Sequence, residues 1–466
     1  MRTLSVNEKK SVAIVILTAI TATVCWLAGL NSAQIASVSI FTLEIYATLM
    51  LWAFRLPIAF IAIFSLLALG LIDIPRLIEF ANFDVILFLI GMMSIIGVLE
   101  ENHFFEYLID KVIRLVGEKT ERLILVLMFA SAIFAALVDE VTSILFMTAT
   151  IIHLTLTYGV NPVPFVMMIV FATNIGSSAT VVGNPVGVMV ALKGGLSFSD
   201  FIRWATPIAI ISLVWTVFIS MKIFSKEIKE LSEKLRTPRP SLIEEPTPPS
   251  EGRIRLCWII FLMTILGLVF HSSIEGLLHL EKNTMLIGTG LLFAGISLLW
   301  ERERAHEIVE RRIDWWTLTF FLLLFASVGT LNYVGVTNLL AKGIYNLFMG
   351  SEIEMFLFFT WLVGILSAFM DNVLAVATFI PIVQDLGALG VYNFPLWWGM
   401  LFAATFFGNL TLIGSTANIV AIGMLERRQK ITITFMQWLK VGAVISIQTL
   451  AIATILIILQ LPFMPR

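Results

Sequence analysis

The chain has 466 residues, of which 59% are hydrophobic and 13% charged, and its formal net charge is −2. Soluble domains carry about 25% charged residues, so this composition excludes a soluble globular protein and indicates an integral membrane protein. Repeated apolar runs of about 20 residues predict helical spans rather than the alternating strands of a barrel. The two cysteines, Cys25 and Cys257, lie far apart in apolar runs and indicate neither a disulfide framework nor a thiolate metal site.

The apolar runs predict about 11 transmembrane helices in an all-α polytopic fold. The predicted spans lie near 12–30, 41–54, 57–72, 84–99, 165–192, 201–224, 256–272, 284–300, 315–333, 396–424 and 437–461. The first run follows Arg2, Lys9 and Lys10 and exceeds the apolar core of a typical signal peptide, so we expect an uncleaved span.

Two further apolar stretches predict re-entrant hairpins. As one helix, 123–157 would be about 50 Å long at about 1.5 Å per residue, against a hydrocarbon core of about 30 Å. The polar run Asp139-Glu140-Val141-Thr142-Ser143 interrupts it, and each half is too short to span the membrane comfortably. The stretch 355–382, with Asp371-Asn372 at its middle, has the same pattern.

Basic residues predict the orientation of the chain. Loops with several Lys and Arg residues face the cytoplasm, and with the N-terminus inside all such loops fall on that side. The richest of them, 225–255, is predicted to be a cytoplasmic linker, and its Pro-rich stretch 237–249 is expected to be extended. We therefore expect a multi-pass protein of the plasma membrane with a cytoplasmic N-terminus.

The two halves of the chain resemble each other. Asp84 pairs with Asp314 at a spacing of 230 residues, Asp139 with Asp371 at 232, and Gly183 with Gly414 at 231. Each copy would cross the membrane an odd number of times, which predicts inverted repeats with interrupted helices, as in secondary transporters. The predicted domains are scaffold helices (1–82), repeat 1 (83–224), the linker (225–255), further scaffold helices (256–312) and repeat 2 (313–466).

The polar stretch 173–185 breaks an otherwise apolar span, and irregular backbone at membrane depth is tolerated where it lines a cavity. Half-helix N-termini favour anions, and the neutral oxygens and carboxylates nearby suit Na⁺. The predicted ion-binding residues are Asp139, Glu140, Thr142, Ser143, Asn174, Ser177, Ser178, Thr180, Gly183, Asn184, Asp371, Asn372, Asn409, Thr411, Gly414, Ser415, Thr416 and Asn418. Na⁺ is predicted near Asp139, Asn174, Asp371 and Asn409. For a single Ser or Thr, satisfying the backbone at the break is the alternative role.

Two segments resemble a known family: SAFMDNVLAVATFIPIV (367–383) and FGNLTLIGSTANIVAIG (407–423). They are similar to motifs of the arsenite-permease, NhaD-type antiporter and P-protein group of the ion transporter superfamily, which is related to divalent-anion/sodium symporters. The resemblance covers roughly 80–460. It implies an elevator-type homodimer in which hairpins and broken helices move against a scaffold. The chain departs from the group at Asp139-Glu140, which carries an extra acid, and at TVVGNPVG (180–187), which replaces a GDPPN-like sequence.

The sequence thus predicts a secondary active transporter rather than an enzyme. Its partners would be the lipid bilayer and a small ion, with no nucleic acid and no cofactor other than Na⁺ or H⁺ as the coupling ion. A cation-coupled permease for a small anion or oxyanion is the first hypothesis, and an Na⁺/H⁺ antiporter is the second. A dicarboxylate/sodium symporter, a channel and an intramembrane aspartyl protease are more remote, the last because its Gly-x-Gly-Asp stretch is absent.

Overall fold

The computed structural model describes residues 6–116, 120–235, 250–348 and 351–465. The helices, in chain order, are α1 (Val6–Leu27), α2 (Ser32–Met50), α3 (Arg55–Ala68), α4 (Ile74–Phe80), α5 (Phe83–Glu101), α6 (Phe104–Val116), α7 (Thr120–Leu137), α8 (Glu140–Thr157), α9 (Val163–Gly176), α10 (Pro185–Gly194), α11 (Phe198–Asp200), α12 (Thr206–Ile223), α13 (Ser225–Leu235), α14 (Glu251–Leu278), α15 (Thr284–Trp300), α16 (Ala305–Arg312), α17 (Trp315–Tyr333), α18 (Val336–Phe348), α19 (Glu352–Phe369), α20 (Asn372–Ala388), α21 (Phe394–Phe407), α22 (Thr416–Gln429) and α23 (Phe435–Gln460). The all-α prediction is confirmed.

Among the described residues, 10 helices are long and apolar enough to cross a membrane. Large apolar side chains cover much of the outer surface, as Phe64 (70% exposed), Leu277 (79%) and Leu299 (77%) illustrate. Such a surface would be unfavourable in water and suits contact with lipid acyl chains. The prediction of a polytopic membrane protein is therefore confirmed.

The second helix begins earlier than the predicted span at 41–54. Asn31 caps α2, its side chain accepting from Gln34 N at 2.9 Å, while the Gln34 side chain accepts from Asn31 N at 3.0 Å. This capping box satisfies backbone donors that the first helical turn leaves unpaired. The predicted start at residue 41 was wrong, because the Ser- and Gln-containing first turns lower the local hydropathy. The predicted break before α3 is confirmed, with a 3-10 turn at Trp52–Phe54.

Both predicted hairpins are pairs of helices that meet at an aspartate, α7 with α8 and α19 with α20. However, α7 and α8 have 18 residues each. At about 1.5 Å per residue each arm is about 27 Å long. Each arm of the first hairpin is therefore long enough to approach the thickness of the hydrocarbon core, and the prediction that the arms are too short to span was wrong. The re-entrant path stays a prediction.

Both predicted broken helices are confirmed. The first half-helix of each pair, α9 or α21, ends at Gly176 or Phe407, and the second, α10 or α22, begins at Pro185 or Thr416. The order of helices recurs along the chain: α9 and α21 begin 231 residues apart (163 and 394), as do α10 and α22 (185 and 416). The domain boundaries and the inverted orientation stay predictions.

The segment 225–255, predicted to be a linker, begins with helix α13 and ends within α14. The Pro-rich stretch 237–249 lies outside the described residues.

The helices form two compact units. Unit 1 comprises 1–86, 314–355 and 377–393, and unit 2 comprises 87–313, 356–376 and 394–466. Within unit 1, α2 packs against α1, α3 and α17. Within unit 2, α7, α8 and α9 pack together, α22 packs against α8 and α9, and α10 packs against α21. These last contacts join the two sequence repeats.

Candidate functional site

The returning arm of each hairpin is capped by an aspartate. Asp139 Oδ1 accepts from the Val141 and Thr142 backbone N–H groups at 2.6 and 3.3 Å. Asp371 Oδ1 accepts from Val373 N at 3.0 Å. A side-chain acceptor at this position replaces the backbone partner that the first helical turn lacks. The capping role predicted for both aspartates is confirmed.

The second half of each broken helix is capped in the same way. Asn184 Oδ1 accepts from Gly187 N at 2.7 Å, and Ser415 Oγ accepts from Ala417 N at 3.2 Å. Pro185 occupies the first helical position, where its missing N–H would have had no partner in the helix. The predicted N-caps are confirmed, and four helix N-termini therefore belong to unit 2.

Asn174, at the end of α9, connects the two repeats. Its Nδ2 donates to Asn409 Oδ1 at 2.7 Å and to Asn418 Oδ1 at 2.9 Å. Its Oδ1 accepts from Ser415 Oγ at 3.1 Å. These four side chains are at most 1% exposed. The side-chain hydrogen-bonding capacity of Asn174 is thus used on residues of the second break.

The network continues from Asn174 toward the first hairpin. Asn184 Nδ2 donates to Ser177 Oγ at 2.7 Å. Ser177 Oγ lies 3.0 Å from the Asn174 carbonyl oxygen and 3.4 Å from Glu140 Oε2, so its proton can serve either acceptor. A hydroxyl that alternates between a carbonyl and a carboxylate can adjust to the charge of the carboxylate.

Three carboxylates lie near the starts of α8 and α20. Glu140, 2% exposed, lies within electrostatic reach of Asp139 and Asp371 and beside Asn372. Thr416 Oγ1 donates to Asp371 Oδ2 at 2.7 Å. Among the residues that the structure describes, no lysine or arginine side chain is buried. The site therefore gathers three acidic side chains, and no buried basic side chain accompanies them in the described part of the chain.

Four of the predicted ligands use their hydroxyl protons to hold the backbone. Ser143 donates to Ser131 O and Ser178 to Ile175 O, both at 2.8 Å. Thr180 donates to Ala136 O, and at the equivalent place Thr411 donates to Ala368 O. Their oxygens can still accept a donor or contact a cation. Ion binding by these residues stays a prediction, as it does for the other predicted ligands.

The structure brings all the predicted site residues into unit 2. Thr142 lies beside Asp139, and Asn418 Nδ2 donates to Gly408 O at 2.7 Å and to Thr411 O at 2.8 Å. Two residues that the sequence did not indicate also contact this region. Trp438 of α23 donates to Asn409 O at 2.9 Å, and the Ser131 hydroxyl oxygen lies 2.6 Å from the Thr173 hydroxyl oxygen. Trp438 and Ser131 lie in apolar runs without a break, so no sequence signal singled them out.

The predicted glycines allow close approach of backbone at the breaks. A Cβ added to Gly183 would overlap the Ser177 carbonyl oxygen, and one added to Gly414 would come within 2.8 Å of Gly408 O. Both neighbours are backbone atoms, which cannot move aside as a side-chain end can. These positions therefore need glycine for packing, and a direct contact with an ion is not required to explain them.

Gly183→Ala is expected to lower the free energy of unfolding by about 3 kcal/mol, the upper end for overpacking of a filled site. The measurement is the unfolding midpoint of purified protein in detergent. Gly295→Ala is the matched control, because that glycine lies in α15 with nothing within 4 Å of the added methyl group. Equal stability of the two variants would contradict the close packing at the first break.

Comparison with known proteins agrees with this architecture. The chain matches the model of the citrate transporter family over residues 46–347 and 328–464. An uncharacterized transporter of Mycobacterium tuberculosis is 31% identical over 382 residues, which cover 80% of this chain and 85% of that protein. The human P protein is 26% identical over 445 residues, covering 79% of this chain and 52% of that protein. The resemblance to the P-protein group and the ion transporter superfamily is thus confirmed.

A solved structure supports the fold. The crystal structure of the Alcanivorax borkumensis YdaH transporter, described as having an unusual topology, aligns with a TM-score of 0.58 and 14% identity. The alignment covers 84% of this chain and 87% of that chain. At this identity the similarity concerns the fold alone. Together with the family match, it identifies a multi-pass membrane transporter, and the chain belongs to the citrate transporter family.

Proposed function

We propose that this protein is a secondary active transporter that couples Na⁺ or H⁺ to the movement of a small anion. The observation that carries the proposal is the buried network of unit 2. It combines four capped helix N-termini with Glu140 and Asp371, and no buried lysine or arginine accompanies them in the described part of the chain.

The coupling cation would bind at the carboxylate side of the network. Asp371 Oδ2 already accepts a hydrogen bond from Thr416 Oγ1 at 2.7 Å, and Glu140 lies near both Asp139 and Asp371. Carboxylates at membrane depth are unfavourable when ionised and without a counterion, so a bound Na⁺ or proton would stabilise them. The predicted Na⁺ positions near Asp139, Asn174, Asp371 and Asn409 lie along this network.

The anion would bind at the helix N-termini of the breaks, which Asn184 and Ser415 cap. Backbone N–H groups and the helix dipole favour negative charge there. The matching family is described by citrate, an organic polyanion. Because the buried charged side chains described in this site are all acidic, such an anion would enter only together with cations that offset its charge. An oxyanion-forming acid that enters neutral, such as arsenous acid, would require less compensation.

A second candidate, Na⁺/H⁺ antiport, is supported by the same carboxylates, since alternate binding of Na⁺ and H⁺ needs only acidic groups. For either function we propose a homodimer that works by an elevator mechanism in the plasma membrane. In that arrangement the N-terminus and the 225–255 segment face the cytoplasm, as the distribution of Lys and Arg indicates.

The experiment uses purified protein in sealed lipid vesicles. Uptake of labelled citrate and of arsenite is measured with an inward Na⁺ gradient, an inward proton gradient or neither, and a trapped dye reports internal pH. We expect gradient-dependent uptake of one of the two solutes, and a loss of at least about tenfold in Asp371→Asn, in line with about 1.4 kcal/mol of lost cation binding.

Asp110→Asn is the control, because it removes the same charge from an exposed position on α6. Na⁺-driven proton movement that needs no anion and disappears in Asp371→Asn would replace the permease by the antiporter. Absence of coupled flux of any kind, with protein correctly inserted, would contradict both functions.

A further inference from the structure

Unit 1 contains a buried carboxyl group that the site of unit 2 does not include. Glu44 lies near the middle of α2, one of the helices that can cross the membrane, and its side chain is 0% exposed. Carboxylates in membrane helices are rare, unfavourable when charged and usually functional. The sequence predicted an apolar span here and did not indicate a role for Glu44.

Neither oxygen of Glu44 has a hydrogen-bond partner among the described residues. Ser327 of α17 lies beside the carboxyl group, but its hydroxyl also lacks a partner with hydrogen-bond geometry. Ser37 and Thr48, on the same face of α2, are buried and equally without partners in the described chain. A native core rarely leaves so many buried polar atoms unsatisfied, and each such case calls for an explanation.

Basic side chains on the surrounding helices do not neutralise Glu44. Lys10 of α1 donates to Met50 O at 2.9 Å, about 9 Å further along α2 than Glu44 at about 1.5 Å per residue. Arg55 of α3 donates to Thr317 at 2.7 Å, about 15 Å along α17 from Ser327. The other charged or titratable groups described on the helices packed against α2 are Lys9 and Cys25 of α1 and Tyr333 of α17, and none forms a hydrogen bond or ion pair with Glu44.

The spacing of the neighbouring hydroxyls decides between a metal cation and a proton. Ser37 and Thr48 lie about 10 Å and about 6 Å from Glu44 along the helix axis, at about 1.5 Å per residue. Ca²⁺ takes six to eight oxygen ligands at about 2.3–2.6 Å, and Mg²⁺ takes a near-ideal octahedron at about 2.0–2.1 Å. Glu44 and Ser327 together offer too few, whereas a proton needs only the carboxyl group itself. Because no described basic side chain pairs with Glu44, an ionised carboxylate here would be buried without a counterion from that part of the chain, which is unfavourable.

We propose that Glu44 is a proton-binding site in unit 1, separate from the carboxylates of unit 2. Glu44 is protonated in the conformation described here and releases its proton when a conformational change admits water to the α2–α17 contact. The inference does not depend on which cation or anion the unit 2 site carries.

Infrared spectroscopy of the purified protein in lipid tests the proposal directly, because protonated carboxyl groups have a C=O stretch distinct from that of carboxylates. At neutral pH we expect a band of a buried carboxylic acid that is present in the wild type and absent in Glu44→Gln. The amide of glutamine has nearly the shape of the neutral acid, so this variant should elute as the folded species.

Glu275→Gln is the matched control. Glu275 is a buried glutamate of α14, 5% exposed, but its Oε1 accepts from Met285 N at 2.8 Å, whereas neither oxygen of Glu44 has such a partner among the described residues. The band should persist in this control, and also in Glu140→Gln, which removes the buried glutamate of the candidate site in unit 2. A wild-type spectrum that Glu44→Gln leaves unchanged would overturn the proposal.

A second variant keeps the test valid if Glu44→Gln does not fold. Glu44→Asp retains a carboxylic acid but moves it by one methylene group, so the band should remain and its frequency should shift. An unshifted band in Glu44→Asp would assign the proton to another residue and overturn the proposal.

Discussion

Asn174→Ala is expected to abolish transport and to lower the free energy of unfolding by at least about 3 kcal/mol. The side chain donates to Asn409 and Asn418 and accepts from Ser415, all buried. Alanine would leave the side-chain oxygens of Asn409 and Asn418 and the hydroxyl proton of Ser415 without the hydrogen bonds described above. Each buried unsatisfied group costs about 1–3 kcal/mol. The loss would separate α9 from the second break, so both the fold of unit 2 and the site should be affected.

The measurement is the unfolding midpoint in detergent together with solute uptake in vesicles. Asn161→Ala is the control: that asparagine is exposed, and its side chain accepts a single local hydrogen bond from Val163 N. The control should change the free energy of unfolding by less than about 1 kcal/mol, as expected for one exposed hydrogen bond. If both variants were equally stable, Asn174 would not be a structural link between the repeats.

Glu140→Gln is expected to weaken binding of the coupling cation by about two to three orders of magnitude. Two unit charges about 4 Å apart interact by about 4 kcal/mol at an effective dielectric constant of about 20. Each loss of about 1.4 kcal/mol in binding free energy lowers the affinity about tenfold. Glutamine keeps the size of the side chain and can still accept from Ser177, which lies 3.4 Å from Glu140 Oε2. The fold should therefore survive while the charge is lost.

The dependence of uptake on Na⁺ and on pH measures this effect. Glu121→Gln removes the same charge from an exposed position at the start of α7 and should leave both dependences unchanged. Wild-type cation dependence in Glu140→Gln would exclude this glutamate from the coupling site. It would then leave Asp371 as the acidic group to examine.

The sequence predicted the local features of this site because they depend on neighbouring residues. An N-cap acts over two or three positions, so Asp139, Asn184, Asp371 and Ser415 could be identified from the residues that follow them. A constant spacing between similar motifs predicted that the helix order recurs. Composition alone excluded a soluble protein.

The bounds of helices were harder to predict from the sequence where the polarity and the length of a segment point to different structures. The start of α2 was missed because its capping box precedes turns of low hydropathy. The hairpin arms were judged too short, although the structure continues each helix of the first hairpin for 18 residues.

Only the tertiary structure decided which polar groups contact one another. Asn174 reaches residues 235 and 244 positions away in the chain, and no periodicity or spacing in the sequence specifies such partners. The same holds for the hydroxyls of Thr180 and Thr411, whose predicted ligand role competes with backbone carbonyls of the hairpins. Glu44 is an isolated acid in an apolar run of the sequence. Only the packing of α1, α3 and α17 around α2 shows that it is buried and has no hydrogen-bond partner among the described residues. Capping and composition are local properties of the chain, whereas burial and pairing depend on which distant helices pack together.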